Sequence, residues 1–212
     1  MLRHRTCAPP RERHRATVAH GTLELKHGGG SLDVTIVGLA HRVQWEDPTG
    51  DLQMLLERLI KERGVKLIAE EAYKLPTTTG FRLACRADIP WIDVDMTDAE
   101  RREAAIYDEL NKRPSGPLLN DGSMLQTVSY LPCADGVREE HWVKRVMEHR
   151  VDSALIVCGL LHMSPLAEKL TKHGCHVPEP TNVCDQGWYV KTFGPCQVVE
   201  ENGRRWCEYP VK

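Results

Sequence analysis

The sequence predicts an α/β fold: a mainly parallel central sheet with helices on both faces and a small antiparallel C-terminal addition. Short apolar runs such as Asp33–Val37 and Ser153–Cys158 are bounded by turn signals, which is typical of buried parallel strands. Amphipathic segments of helical length separate these runs, as in a sheet covered by helices. Residues 181–212 instead alternate apolar and polar residues around three glycines, which favours a hairpin or two to three antiparallel strands.

Composition and charge fit a globular protein. The chain has 212 residues, of which 41% are hydrophobic and 27% charged, and its formal net charge is −2. This balance gives no reason to expect a nucleic acid or an anionic membrane as partner. No apolar stretch approaches the ~20 residues that span a bilayer. The N-terminus lacks the pattern of a secretory signal, so we expect a cytoplasmic protein whose eight cysteines are reduced and structural.

Residues 1–30 differ from the rest of the chain. They carry five arginines, Pro9–Pro10 and the run Gly28–Gly30, a pattern typical of a flexible basic arm. We therefore predict one α/β domain over residues 31–212, preceded by this arm.

The first half of the domain predicts three strands, each followed by a helical segment. The helix Leu52–Arg63 has apolar residues at helical spacing, with Asp51 as the predicted N-cap and Gly64 as the C-cap. The remaining predicted elements are a strand at Asp33–Val37, a strand at Val65–Ala69, a short helix at Phe81–Ala87, a strand at Pro90–Asp95 and a helix at Ala99–Lys112.

The second half begins with a segment rich in Pro, Gly, Asn and Ser. This composition predicts a long loop at residues 114–135, with the length of an active-site lid. The elements predicted after it are a helix at Arg138–Arg150, a strand at Ser153–Cys158, a helix at Ser164–His173 that ends at Gly174, and a strand at Cys175–Val177.

The same motif follows two of the predicted strands. Gly38–His41 and Gly159–His162 both read Gly-x-x-His directly after an apolar run. In open α/β sheets, ligands bind just past the carboxyl ends of the strands. One copy alone is a weak signal, because a strand that ends in a turn with a surface histidine has the same pattern. Two copies indicate one site with two imidazoles.

Acidic residues end two of the other predicted strands. Glu70 and Glu71 end the second strand, and Asp93 and Asp95 end the third. Imidazole and carboxylate groups hold divalent first-row metals, and a carboxylate can act as general base toward bound water. In an extended backbone the adjacent glutamates face opposite sides, so that one faces the site and an arginine holds the other; in a turn both reach it. Three roles are open for Asp93 and Asp95: to complete the metal site, to cap the next helix, or to pair with the arginines of that helix.

The order Gly-x-x-His, Glu-Glu, Arg, Gly-x-x-His resembles the TIKI/TraB superfamily, which is linked to the erythromycin esterase and ChaN-like proteins. The matching residues lie within 33–177, and Arg138 fits the arginine best, with Arg145 as the alternative. The resemblance implies an α/β fold with its site across the strand ends. For the Tiki branch it implies metal-dependent peptide hydrolysis with manganese or cobalt. Other branches cleave esters or bind haem.

The residues and the resemblance together predict a metal-dependent hydrolase that cleaves a peptide, amide or ester bond in a small-molecule or peptide substrate. His41 and His162 hold a manganese, cobalt or zinc ion with one of the two glutamates, taken as Glu70. The other, Glu71, activates water or orients a histidine, and Arg138 stabilises an oxyanion or holds a glutamate. The alternative function is a non-catalytic module that binds a small molecule or haem on the same scaffold. The oligomeric state stays open.

Overall fold

The structure of the chain is a computed structural model that describes residues 31–72, 77–118, 124–201 and 204–208. Residues 31–212 form one compact unit. The basic arm predicted at residues 1–30 lies outside the described residues.

The α/β fold is confirmed. In chain order the described elements are β1 (Asp33–Leu39), α1 (His41–Trp45), α2 (Asp51–Arg63), β2 (Leu67–Glu70), α3 (Thr79–Ala87), β3 (Trp91–Asp93), α4 (Asp98–Glu103), β4 (Tyr107–Leu118), β5 (Met124–Tyr130), α5 (Ala134–Glu148), β6 (Ser153–Gly159), α6 (Met163–Lys172), β7 (Thr181–Asn182), α7 (Gly187–Phe193), β8 (Gln197–Glu201) and β9 (Arg204–Glu208). Five parallel strands form the central sheet in the order β3-β2-β6-β1-β7, and two antiparallel pairs, β4–β5 and β8–β9, are separate from it.

The two strands that carry the Gly-x-x-His motifs are neighbours. β1 and β6 pair in parallel from Asp33 opposite Ser153 to Leu39 opposite Gly159. Parallel neighbours end at the same edge of a sheet, so both motifs leave the sheet side by side. This pairing places the two histidines at one edge, as the sequence predicts.

Successive side chains of a strand point to opposite faces of the sheet, so the buried apolar residues form a core on each face. On one face, Val37 of β1 and Val157 of β6 pack against α1, α2, α3 and α7. On the other, Ile36 and Ile156 pack against α5 and α6. The strands are buried on both sides, which explains their continuous apolar composition. Among the described residues, no helix combines the length and apolar character that a membrane crossing requires.

The helix predicted at Ala99–Lys112 is wrong beyond its first turns, and so is the loop predicted at 114–135. A capping box between Thr97 and Glu100 starts α4, which stops at Glu103 before Ala105 turns left-handed with φ of 51°. Residues 107–118 and 124–130 then form the β4–β5 ribbon, with the Tyr107 and Tyr130 rings stacked 5.4 Å apart. Pro114, Gly116 and Pro117 lie within β4, and residues of these types favour a loop when composition alone is considered.

The C-terminal part also differs in detail from the prediction. The strand predicted at Cys175–Val177 is wrong: within it, His176 makes a single isolated bridge to Asp33. The fifth strand of the sheet is instead Thr181–Asn182. The antiparallel hairpin is confirmed as β8–β9, but a helix, α7, precedes it.

The predicted N-cap of α2 is likewise wrong, because Gly50 occupies that position. The carboxylate of Asp47 accepts the N–H groups of Leu52 and Gln53 at 3.3 and 2.9 Å. The C-cap at Gly64 is confirmed, with φ of 59°.

Gly38 allows α6 to pack closely on the sheet. A Cβ atom at this position would lie 1.8 Å from Sδ and 2.2 Å from Cγ of Met163, the first residue of α6. Met163 is buried, so it has little room to move away. The first glycine of the motif therefore serves helix packing.

We expect Gly38→Ala to lower the free energy of unfolding by about 1–3 kcal/mol, because the added methyl overlaps Met163. In Gly38→Ala/Met163→Ala the overlap is absent, so the double variant should lose less stability than the sum of the single variants. Urea unfolding measures all three. Gly136→Ala is the control, since apart from its chain neighbours and the backbone of its own helix a Cβ there would have no atom within 4 Å. A wild-type midpoint for Gly38→Ala would contradict this packing.

Candidate functional site

The candidate site lies at the carboxyl ends of three neighbouring strands. His41 opens α1 after β1, Glu71 directly follows β2, and His162 closes the 3-10 turn Leu160–His162 after β6. Arg138 reaches the same place from α5. The structure thus brings together four of the five residues that the sequence predicts for the site.

Glu71 is the centre of the cluster. Its Oε1 accepts a hydrogen bond from Nη2 of Arg138 and lies 3.7 Å from Nε2 of His162. Its Oε2 accepts the backbone N–H of Gly159 at 2.8 Å and lies 3.5 Å from Nε2 of His41. The two imidazoles therefore approach one buried carboxylate from its two oxygen atoms.

Gly159 is required for this approach. A Cβ atom on it would lie 2.9 Å from Nε2 of His41 and 3.3 Å from Oε2 of Glu71. The second glycine of the motif thus leaves room for the histidine of the first motif. The bare backbone also lets the carboxylate reach the Gly159 N–H.

Each imidazole is held through its other ring nitrogen by a buried polar side chain. Nδ1 of His41 lies 2.9 Å from Oε1 of Gln44, and Nδ1 of His162 lies 2.8 Å from Oε1 of Glu139. Glu139 also pairs with Lys169 at 3.3 Å. Gln44 and Glu139 are not among the site residues predicted from the sequence. Gln44 could have been found from its spacing, because it follows His41 by three residues, which places both on one face of a helix. For Glu139 the sequence offers only its position next to Arg138.

Arg138 lies between two buried carboxylates. It binds Glu71 through Nη2, and its Nε donates to Oδ1 of Asp95 at 3.1 Å. Asp95 in turn accepts from Nη2 of Arg101 at 2.5 Å. Two roles are predicted for Arg138: to stabilise an oxyanion or to hold a glutamate. The observed contacts match the second role, because Arg138 holds Glu71. The alternative arginine, Arg145, donates instead to the backbone oxygen of Asp93 at 2.7 Å.

Glu70 lies away from the imidazoles. Its side chain faces α3, where Oε2 accepts hydrogen bonds from the Thr78 hydroxyl and, at 2.6 Å, from Nε1 of Trp91. The absence of a side chain on Gly80 leaves room for this carboxyl, since a Cβ there would lie 2.5 Å from Cδ of Glu70. The predicted ligand set of His41, Glu70 and His162 is not brought together. Glu71 takes the place of Glu70, because adjacent residues of an extended backbone face opposite sides.

The surroundings of the two glutamates separate their pKa values. Burial raises the pKa of Glu70 above its usual value, and the hydrogen bonds from Thr78 and Trp91 offset only part of this rise. Burial acts in the same direction on Glu71, but the charges of His41, Arg138 and His162 outweigh it and hold its pKa below the usual value. Glu71 is therefore the ionised member of the pair.

The pKa of His162 is raised. Burial alone would lower it, but the hydrogen bond to Glu139 and the charge of Glu71 favour the protonated ring. The edge of the Trp142 ring system packs against this imidazole, with the ring centroids 4.8 Å apart. His162 is thus fixed in orientation on both sides.

Within the described residues, no group of three or more His, Cys, Asp and Glu side chains is arranged to hold a metal ion. Comparisons with protein-family models, curated proteins and solved structures find no match to this chain. The resemblance to the TIKI/TraB superfamily stays a prediction.

Because the folded protein holds the pKa of Glu71 low, its ionised form stabilises the fold above the unfolded pKa of about 4.3. This stabilisation is lost as the pH falls through the lower folded-state pKa. We expect Glu71→Gln to cost about 3–5 kcal/mol near pH 7, since Arg138 loses a buried partner. The difference from wild type should shrink below about pH 4.3.

Urea unfolding between pH 3 and pH 8 measures this difference. Glu140→Gln is the matched control, because Glu140 is exposed and its described partner, His173, is a surface residue. A cost of Glu71→Gln that is the same at every pH would contradict the lowered pKa.

Proposed function

We propose that this chain is a hydrolase that cleaves a peptide, amide or ester bond with water activated at His41, Glu71 and His162, and that a divalent metal is its cofactor. The observation that carries the proposal is the convergence of two imidazole Nε2 atoms on one ionised carboxylate, at 3.5 and 3.7 Å. Each Nε2 atom therefore lies close to an oxygen of Glu71 but farther from it than in an ordinary hydrogen bond of about 2.9 Å.

The hydrogen bonds at Nδ1 support this assignment. The carboxylate of Glu139 accepts from Nδ1 of His162, so in the neutral ring Nε2 carries a lone pair. Histidines that bind metals commonly have such a partner on the other ring nitrogen. When both rings are neutral and carry their hydrogen on Nδ1, their two Nε2 lone pairs and the carboxylate make an electron-rich centre, which a cation or the hydrogens of a water molecule stabilise.

His41 and His162 are the residues that would hold the metal, with Glu71 as the adjacent carboxylate. Imidazole and carboxylate suit zinc, cobalt and manganese. Both oxygens of Glu71 already accept hydrogen bonds, from Arg138 and from Gly159, so the imidazoles are the stronger part of this donor set. When bound, such an ion lowers the pKa of a water molecule and polarises a substrate carbonyl.

The protein's own residues divide the remaining tasks. Arg138 keeps Glu71 ionised and in place, so that a negative charge faces the two Nε2 atoms. The side chain of His41 is 44% exposed, whereas that of His162 is 9% exposed, so substrate approaches from the side of His41. Because the Nε2 atoms of both imidazoles would hold the metal, the carboxylate of Glu71 between them is the group left to take a proton from attacking water.

A cytoplasmic location is a further part of the proposal. It is supported by the free thiols of Cys133, Cys158 and Cys175, which are typical of a reducing compartment.

We expect purified wild type, after incubation with manganese, cobalt or zinc, to bind about one metal ion per chain. His41→Ala and His162→Ala should each lose this ion because each removes a nitrogen ligand. Elemental analysis measures the metal, and a panel of peptide, amide and ester substrates measures turnover. His149→Ala is the matched control, since His149 is an exposed residue at the end of α5.

Full metal affinity in both alanine variants would contradict the assigned ligands. Hydrolysis without any metal would leave the two imidazoles as the catalytic groups and overturn the cofactor. Metal binding without turnover on any substrate class would favour the non-catalytic binding module.

A further inference from the structure

Gln44 joins the two halves of the candidate site. It is a fully buried amide on α1, three residues after His41. Its Oε1 lies 2.9 Å from Nδ1 of His41, and its Nε2 donates to the backbone oxygen of Glu71 at 3.2 Å. One side chain therefore connects the first histidine to the backbone that carries the carboxylate.

The backbone oxygen of Glu71 determines which way the amide points. A carbonyl oxygen can only accept, so the nitrogen of the Gln44 amide must face it. The amide oxygen then faces His41, and since that oxygen also can only accept, Nδ1 of His41 must carry a hydrogen. The hydrogen-bond chain runs from His41 through Gln44 to Glu71 in one direction.

We propose that Gln44 is a positioning residue that fixes His41 as the Nδ1–H tautomer, so that the Nε2 lone pair faces the reacting centre. Its catalytic meaning rests on the proposed function, because a general base or metal ligand needs that lone pair. The hydrogen-bond chain itself is independent of turnover.

The need for such a residue follows from Glu71. Its carboxylate lies 3.5 Å from Nε2 of His41 and is the acceptor that would draw the ring proton to that nitrogen. A proton there would block Nε2 as a base and as a ligand. Gln44 offers a shorter hydrogen bond to the other nitrogen and so opposes this effect.

His162 provides a natural comparison within the same site. Its Nδ1 has a carboxylate partner, Glu139, whereas that of His41 has an uncharged amide. Both partners only accept at that contact, so each ring, when neutral, carries its hydrogen on Nδ1. Gln44 achieves this without adding a negative charge next to the half-exposed histidine.

Nitrogen-15 correlation spectra of the histidine rings test the proposal directly. The sample is the full chain in buffer with a chelator, at a pH where the ring of His41 is neutral. His41→Ala identifies the signals of His41. We expect wild type to have the hydrogen of His41 on Nδ1 and Nε2 unprotonated. Gln44→Met, which keeps the length but removes the acceptor, should move the hydrogen to Nε2.

Gln44→Glu is the second variant, and it should keep the Nδ1–H tautomer because a carboxylate also accepts. The His162 signals should stay unchanged in both variants and serve as the internal control. Once a substrate is known, Gln44→Met should lower metal affinity or kcat/KM about 10–100-fold, and Gln44→Glu should restore part of the loss.

A hydrogen on Nε2 of His41 in wild type would overturn the proposal, even if Gln44→Met does not fold. A folded Gln44→Met that keeps the wild-type tautomer would also overturn it, because Gln44 would then be structural only. If wild type has the expected tautomer but neither binds metal nor hydrolyses any substrate, the proposed function fails and the positioning role stands.

Discussion

The buried ion pair between Arg138 and Glu71 is the interaction on which the rest of the site depends. It continues through Asp95 to Arg101, so that positive and negative side chains alternate from α4 to the end of β2. Removing one partner from such a series leaves a buried charge unpaired, which costs several kcal/mol. The same pair keeps Glu71 ionised between two imidazoles. The stability of the fold and the ionisation of the site are therefore coupled at this residue.

The two Gly-x-x-His motifs have the same sequence pattern but different surroundings. Gly38 makes room for Met163 of α6, whereas Gly159 makes room for His41. His41 is half-exposed and held by an amide, and His162 is buried and held by a carboxylate. Neighbouring strands explain their proximity, and the different helices on the two faces explain their differences. One motif therefore has its histidine open to solvent, and the other has its histidine enclosed.

Much of the fold could be predicted from the sequence, because the core strands are short apolar runs with clear boundaries. The largest error concerns residues 107–118. Pro114, Gly116 and Pro117 usually break regular structure, yet they lie in a strand that pairs with 124–130, and the left-handed Ala105 ends the helix before it. The fifth strand, Thr181–Asn182, has two residues and pairs with β1 at the edge of the sheet. Neither has a local signal strong enough to outweigh the alternatives.

The sequence by itself determined that two histidines and a pair of glutamates end strands of a parallel sheet, since strand ends are readable from apolar runs and turn residues. Only the tertiary structure decided which glutamate meets the histidines. The alternation of β2 sends Glu70 toward α3 and Glu71 toward α5, and the packing of α5 then supplies Arg138 and Glu139. The role of Gln44 was also decided there, because its second partner is a backbone oxygen, which every residue carries and no sequence pattern reveals.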